Sequence, residues 1–349
     1  MIYIATYHSD INYGAALQSY ALQTYLKKLG YDSEFIDIKY SRKTQAKDLR
    51  SCLNGVYNKL NSRAIYEGRK NFYDFFADNH KVTRVYNGYE DLVNNPPEGS
   101  VYISGSDQVF NPYASHPEFF LNYGDRETRR ISYAASIGVN QIPADKKDEF
   151  YKKLQAFDAI SLREESSAVF LKGHYNGKIN INIDPSMLID KYEWNSVRHE
   201  YKMDKPYILV YAIYKPKWLG RKLFEIHKKT KLDVVLLSYG GIRPIYRNKT
   251  IFDAGPAEFL SLVDNAEMVI SSSYHGCVFS AIYEKPFYAV VNPQSPDRIT
   301  SFLKLFDLES RVLNMDTIIN FSVNYSNFQN RLNEERARSK DYLLQNIEV

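Results

Sequence analysis

The chain has 349 residues, 44% hydrophobic and 25% charged, with 45 Lys and Arg against 41 Asp and Glu and a formal net charge of +4. At about 150 residues per domain, this length suits two domains with cores of their own. The ordinary charged fraction excludes wholesale disorder, and so slight a basic excess excludes nucleic acid as the main partner.

Two cysteines, Cys52 and Cys277, exclude a disulfide framework and a cysteine-based zinc site. The apolar run before Asp10 is too short for a signal h-region, and no stretch of about 18 residues is apolar enough to span a bilayer. The expectation is a soluble cytoplasmic protein. The 30 tyrosines read either as a compositional bias or as rings and hydroxyls suited to carbohydrate.

Ile2 to Thr6 reads as a buried strand. Ala16, Leu17, Tyr20, Ala21, Leu22 and Leu26 fall at helical spacing within a helix from Tyr13 to Gly30, with the glycine where a C-terminal cap belongs. Ser33 to Ile38 supplies a second strand, so the chain opens as β-loop-α-β, the unit of parallel sheets covered by helices. Residues 39–50 form a basic, polar run and roughly 56–80 an aromatic-rich helical stretch. The segment 39–80 therefore reads as an excursion from the sheet, a lid or a ligand-facing helical hairpin.

Strand signals return at 101–103, 130–135, 159–162 and 179–183, with helical patterns near 144–157 and 164–172. After Asp184-Pro185 the alternation pauses. A second set follows, with strands at 207–213, 233–237, 267–270 and 287–291 and helices at 217–230, 256–265 and 276–284. The expected architecture is α/β: two Rossmann-like domains, 1–190 and 191–325, facing a central cleft, with a polar helix at 326–349 packed across them.

Four motifs stand where strands pass into helices. Asn12-Tyr13-Gly14 follows the first strand, where helix amides form an anion site, although Asn12 serves equally as a cap. Ser104-Gly105-Ser106-Asp107-Gln108 lies at a strand's carboxyl end, where α/β sheets bind ligands, and Asp107 reads as a base, an acid or a cap. Ser161-Leu162-Arg163-Glu164-Glu165 adds a bidentate cation to a helix start, unless Arg163 and Glu165 form a plain surface pair. Ser271-Ser272-Ser273-Tyr274-His275-Gly276 puts an imidazole at such a turn, placed to give or take a proton. No HExxH, CxxC, P-loop or GxSxG occurs, and Asp184 stands before Pro185 without carboxylate company, so no metal cluster is expected.

Taken in order, NYGAALQSYALQTYLKKLGY, ISGSDQVFNP with ISYAASIG, SLREESS, DPSMLI and AEMVISSSYHGCVFSAIYEKPF resemble the polysaccharide pyruvyl transferase family from residue 12 to about 287. Phe110 departs from a frequent tryptophan and Tyr274 from a frequent phenylalanine, both aromatic exchanges. The resemblance implies a GT-B-like fold, with residues 1–190, including the 39–80 excursion, on the acceptor side and 191–325 on the donor side. It also implies transfer of pyruvate from phosphoenolpyruvate to a sugar of a bacterial surface polysaccharide or its precursor, as a ketal.

In the family, the arginine matching Arg163 and the histidine matching His275 are associated with the donor site. A donor carrying carboxylate and phosphate needs cations and helix amides, so Arg298 reads either as a second clamp or as a plain surface arginine, and the amides near Asn12 and Ser273 as helpers. His275 and Asp107 are the catalytic candidates, with Glu164 a further carboxyl. Tyr13, Ser106 and Gln108 are expected at the acceptor. Phosphoenolpyruvate is a co-substrate, and neither cofactor nor metal is implied. The acceptor is a sugar or a lipid-linked oligosaccharide, and the basic run at 39–50 would suit peripheral contact with the inner membrane surface. The competing readings are a nucleotide-sugar-dependent glycosyltransferase of GT-B type and a non-catalytic polysaccharide-binding protein.

Overall fold

Two five-stranded sheets organise the chain in a computed structural model that describes residues 1–39, 58–113, 116–240, 245–295 and 297–348. The first runs in the order β3 (Val82–Tyr86), β2 (Ser33–Ile38), β1 (Ile2–Ala5), β4 (Val101–Ser104), β5 (Arg129–Ser132). The second repeats it with β10 (Lys249–Ile251), β9 (Asp233–Leu237), β8 (Tyr207–Tyr211), β11 (Met268–Ser271) and β12 (Phe287–Ala289). Every pairing in both is parallel. Each sheet therefore reverses its winding once, at β1/β4 and at β8/β11, and such switch points are where open α/β sheets bind ligands.

A parallel pair, β6 (Ile160–Leu162) and β7 (Ile179–Ile181), continues the first sheet beyond β5. The junction is a bridge between Ile131 and Ala159 and a 3.0 Å bond from the Ser132 amide to the Ala159 carbonyl. The central strands are buried throughout and mostly apolar because helices cover both faces: all of β4, β8 and β11 is buried. The largest core is continuous across both sheets, from Ile4 and Leu17 through Tyr13 to Tyr211, Phe259 and Phe279.

The helix Tyr13–Lys28 starts where Asn12 Oδ1 accepts from the Gly14 and Ala15 amides and ends with Lys27 and Lys28 against the dipole. The helix Ser62–Asn79 corrects the expected excursion. It is the crossover joining β2 to β3, so it belongs to the sheet, and its buried Ile65, Phe72 and Phe75 form the packed stripe. The strands β3 and β10 and the helices Tyr89–Asn94 and Asp297–Leu305 go beyond the sequence reading. β3 is an edge strand with Val82 and Val85 exposed, and β10 has only three residues, so neither carries an apolar run.

The helix Phe328–Ile347 buries Phe328, Leu332, Tyr342 and Leu343. Among the described residues no helix is long and apolar enough to cross a membrane. The basic run at 39–50, with the membrane contact expected of it, lies outside the described residues beyond Lys39.

Candidate active site

Four strand ends and one helix deliver residues to one buried cluster. β6 leads directly into Arg163, whose Nε donates to Glu164 Oε1 and whose Nη1 donates to Asp184 Oδ2, each at 2.8 Å. Its guanidinium lies 4.2 Å from the Tyr274 ring centroid, and Nη2 is 3.7 Å from Asp107 Oδ1. β7 leads to Asp184, which is 0% exposed and accepts from Ser106 Oγ at 3.0 Å, the Ser186 amide at 3.0 Å and Ser186 Oγ at 2.7 Å.

β4 leads through Gly105 and Ser106 to Asp107, which takes a left-handed backbone, φ 64°, and bridges to Ala135. The amides of Val109 and Ser136 both donate to its carbonyl at 2.8 Å, which holds the strained residue in place. Across the cleft, Arg298 on the helix Asp297–Leu305 donates from Nη2 to Asp107 Oδ1 at 2.9 Å.

β11 leads to Ser273 and the helix Tyr274–Ile282, and the His275 Nε2 lies 3.4 Å from Asp184 Oδ2. Two glycines make that placement work. A Cβ at Gly14 would collide with the imidazole, and one at Gly276 would collide with Ser271 Oγ. The starts of a first-half helix and a second-half helix thus meet around one histidine.

The charges fix one another. Burial pushes the Asp184 carboxyl up, but His275, Arg163 and the Ser186 hydroxyl outweigh it and hold that group well below the usual carboxylate range. Burial also pushes Asp107 up, while Arg298, Arg163 and His275 bring it below its ordinary value. For Arg163, burial works against the charge, and Glu164, Tyr274, Asp184 and Asp107 restore it with margin. Three carboxyl groups, Asp107, Glu164 and Asp184, therefore face two guanidinium groups, Arg163 and Arg298, with the His275 imidazole beside them. Among the described residues, four buried atoms here have no hydrogen-bond partner: Arg163 Nη2, Glu164 Oε2, His275 Nε2 and Arg298 Nε. Buried donors left open beside a cleft are what a bound anion would satisfy.

Two openings reach the cluster. A cavity of about 610 Å³ is lined by Arg163, Tyr274, Arg298 and Lys304, with Arg331 and Arg338 from the last helix. A more open pocket of about 330 Å³ includes Asp107, Asn12 and Gln108 in its wall.

Of the residues expected from sequence, Arg163, His275, Asp107 and Arg298 converge, and Ser106 joins them through Asp184. Ser273 stands at the start of the helix that carries His275 without a side-chain capping bond, and Asn12 caps the helix behind Gly14. Tyr13 is a correction: its ring is 1% exposed and its hydroxyl donates to the Ala254 carbonyl at 2.9 Å, so it faces no acceptor. Ser106 is likewise 0% exposed and fully engaged. Glu164 is spent on Arg163. Asp184 is the residue sequence reasoning passed over, although it follows a strand end as the others do. Among the described residues, no three His, Cys, Asp or Glu side chains converge to hold a metal ion.

A family model described as polysaccharide pyruvyl transferase matches residues 12–294. No curated protein sequence matches the chain. Among solved structures, a putative UDP-N-acetylglucosamine 2-epimerase from Listeria monocytogenes is similar at 9% identity and TM-score 0.53, over 97% of this chain and 87% of that one. A UDP-GlcNAc 2-epimerase from Methanocaldococcus jannaschii is similar at 13% identity and TM-score 0.49, over 98% and 99% of the two chains. At such identities the likeness to the Listeria structure speaks for the fold alone. With the repeated sheet order, it shows two Rossmann-like domains of the GT-B kind.

Proposed function

The chain belongs to the polysaccharide pyruvyl transferase family, and on that premise we propose that it transfers the pyruvyl group of phosphoenolpyruvate to two hydroxyls of a surface-polysaccharide sugar or its precursor. The observation that carries the reading is the pair of guanidinium groups, Arg163 and Arg298, each with a buried nitrogen that lacks a partner, beside His275. A donor bearing a carboxylate and a phosphate supplies the anionic oxygens those nitrogens lack. The basic cavity gives it room to approach. In this reading residues 1–190 present the acceptor, and the donor lies between the halves, held by Arg163 from 1–190 and Arg298 from 191–325.

The steps balance with two proton carriers. His275 in its imidazolium form gives its proton to C3 of the enol, leaving an oxocarbenium-like C2 that the first sugar hydroxyl attacks. Asp107, kept ionised by its arginines, takes that hydroxyl's proton. Phosphate then leaves with the proton from Asp107, its charge spread over the two guanidinium groups. The second hydroxyl closes the ketal and returns its proton to His275, so both carriers end as they began. Asp184 orients Arg163 and His275 from behind.

The test is the unfolding midpoint against phosphoenolpyruvate and a panel of nucleotide sugars. A ligand at 100 times its Kd adds about 2.7 kcal/mol of apparent stability. Phosphoenolpyruvate should stabilise the wild type and leave Arg298→Gln unmoved, and His275→Gln should bind it without transferring. Stabilisation by a nucleotide sugar alone would move the chain to glycosyl transfer. No response to phosphoenolpyruvate, with or without acceptor sugars, sinks the reading.

A further inference from the structure

We propose that the pocket beside Asp107 is the acceptor subsite and that it selects an uncharged sugar over an acidic or phosphorylated one. The proposal takes the role of the bound sugar from the pyruvyl-transfer reading above. Its own ground is how charge is sorted between the two openings. The 610 Å³ cavity carries five cationic side chains, Arg163, Arg298, Lys304, Arg331 and Arg338, against Glu164, Glu165 and Glu335. Among the described residues, the wall of the 330 Å³ pocket carries none: it is Tyr7, Asp10, Asn12, Gln108, Asn111 and Tyr113 around Asp107 and Ala15.

Carboxylates and amides are the groups that take sugar hydroxyls, as acceptors and as paired donor and acceptor. With Asp10 unpaired, Asp107 already held by Arg298 and Arg163, and no cation among the described lining residues, this wall favours a neutral ligand over a second anion. The volume is that of a small-ligand site.

Part of the wall is already rigid. Asn111 Nδ2 donates to Gln108 Oε1 at 3.0 Å, and the Tyr113 amide donates to Asn111 Oδ1 at 2.9 Å. Lys146 lines a different opening; its Nζ donates to the Pro112 carbonyl at 2.8 Å and lies 5.0 Å from the Tyr113 ring centroid. The Asp10 side chain is exposed and makes no hydrogen bond or ion pair among the described residues. Tyr113 is 64% exposed, an aromatic face available to the C–H side of a sugar ring.

Asp107 belongs to this wall and also holds Arg298, which belongs to the cavity. The donor and the sugar thus approach one ion pair from two sides. A hydroxyl seated in the pocket lies beside the carboxylate that takes its proton.

Ligand-observed saturation-transfer NMR tests this with methyl glycosides of glucose, galactose and mannose against their uronic acid counterparts, which differ only at C6. At least one neutral glycoside should bind, about tenfold tighter than its uronate, a ratio of the size that one repelled charge sets. Tyr113→Ala should weaken the neutral glycoside about three- to tenfold, and Asp10→Lys should shrink the neutral-to-acid ratio towards one. Both positions are exposed, so the unfolding midpoint should hold and report an intact fold. Equal binding of both classes, indifference to both substitutions, or no binding by any glycoside overturns the proposal. Phosphoenolpyruvate titrated separately keeps the two readings apart. Sugar selectivity without phosphoenolpyruvate binding leaves a neutral-sugar site and removes pyruvyl transfer. Phosphoenolpyruvate binding with unselective sugars does the reverse.

Discussion

Four hydrogen bonds converge on the Asp184 carboxylate, from Ser106, Arg163 and twice from Ser186, in a place water does not reach. Removing one side of a buried pair strands the other, so Asp184→Ala should cost about 3–5 kcal/mol in urea unfolding. Asp184→Asn should cost less if shape matters more than charge. Acid exposes the same physics. Asp184 and Asp107 titrate below their ordinary value when folded, so their stabilisation is complete above the unfolded value, about pH 4, and is lost as pH falls through the folded values. His80 has a higher window. Burial, aided by His8, pushes its imidazole down from 6.5 to about 3, while its Nε2 shares a 2.8 Å bond with Ser19. It too is depressed on folding, so its contribution is whole above about pH 6.5 and drains as pH falls towards 3. Urea midpoints should therefore fall between pH 6.5 and 4 in the wild type, less steeply in His80→Gln, with a common further fall below pH 4. A wild type flat from pH 6.5 to 4 would refute the assignment to His80.

Between elements, the decisive contact is where the helices Tyr13–Lys28 and Tyr274–Ile282 meet over a glycine. Alanine in place of Gly14 would favour the helix by up to about 1 kcal/mol, yet its methyl needs the space the His275 ring fills. Gly14→Ala should leave the unfolding midpoint near the wild-type value and cut transfer about 100-fold, the scale of an ångström's misplacement of a catalytic group. Unchanged turnover would show that the ring can yield at no cost. This contact was hidden in the sequence for the same reason Asp184 was. Arg163, His275 and Asp107 each follow an apolar strand, so their address can be read locally. The partners of Asp184 come from residues 106, 163, 186 and 275, and the neighbour of Gly14 is residue 275. The sheets were legible where strands are buried on both faces, as in β1 and β8. β3 was not, because an edge strand with exposed valines lacks that pattern. The helix Ser62–Asn79 showed its apolar stripe, but a stripe does not say which strands the helix joins.

At the scale of the whole molecule, three of the ties between the two halves differ in strength. Tyr13 from the first half stacks on Tyr239 and Phe259 with centroids 5.1 and 4.9 Å away, and anchors its hydroxyl on Ala254. The helix Phe328–Ile347 reaches both halves: Arg336 donates to the Met187 and Ile189 carbonyls, Tyr342 to Ser132, and Arg331 to Leu305. The third tie is the Asp107–Arg298 pair, with the Arg298 side chain 21% exposed. Dry aromatic stacking and buried carbonyl bonds have no substitute in water, whereas an incoming anion can replace a carboxylate on a guanidinium. The first two ties therefore persist while the third exchanges. The last helix should be what makes the halves unfold as one. Ending the chain before Phe328 removes Leu332, Tyr342 and Leu343, uncovers the apolar surfaces they cover and takes away all of those carbonyl bonds. Scanning calorimetry of the full chain should give one transition, its calorimetric and van't Hoff enthalpies equal. The shortened chain should melt lower, with the calorimetric enthalpy exceeding the van't Hoff value as the halves separate. Tyr13→Phe in the full chain, which loses one buried bond worth about 1 kcal/mol, should lower the midpoint and keep a single transition. A shortened chain that still melts in one step at the wild-type midpoint would place the coupling in the aromatic contact around Tyr13 alone.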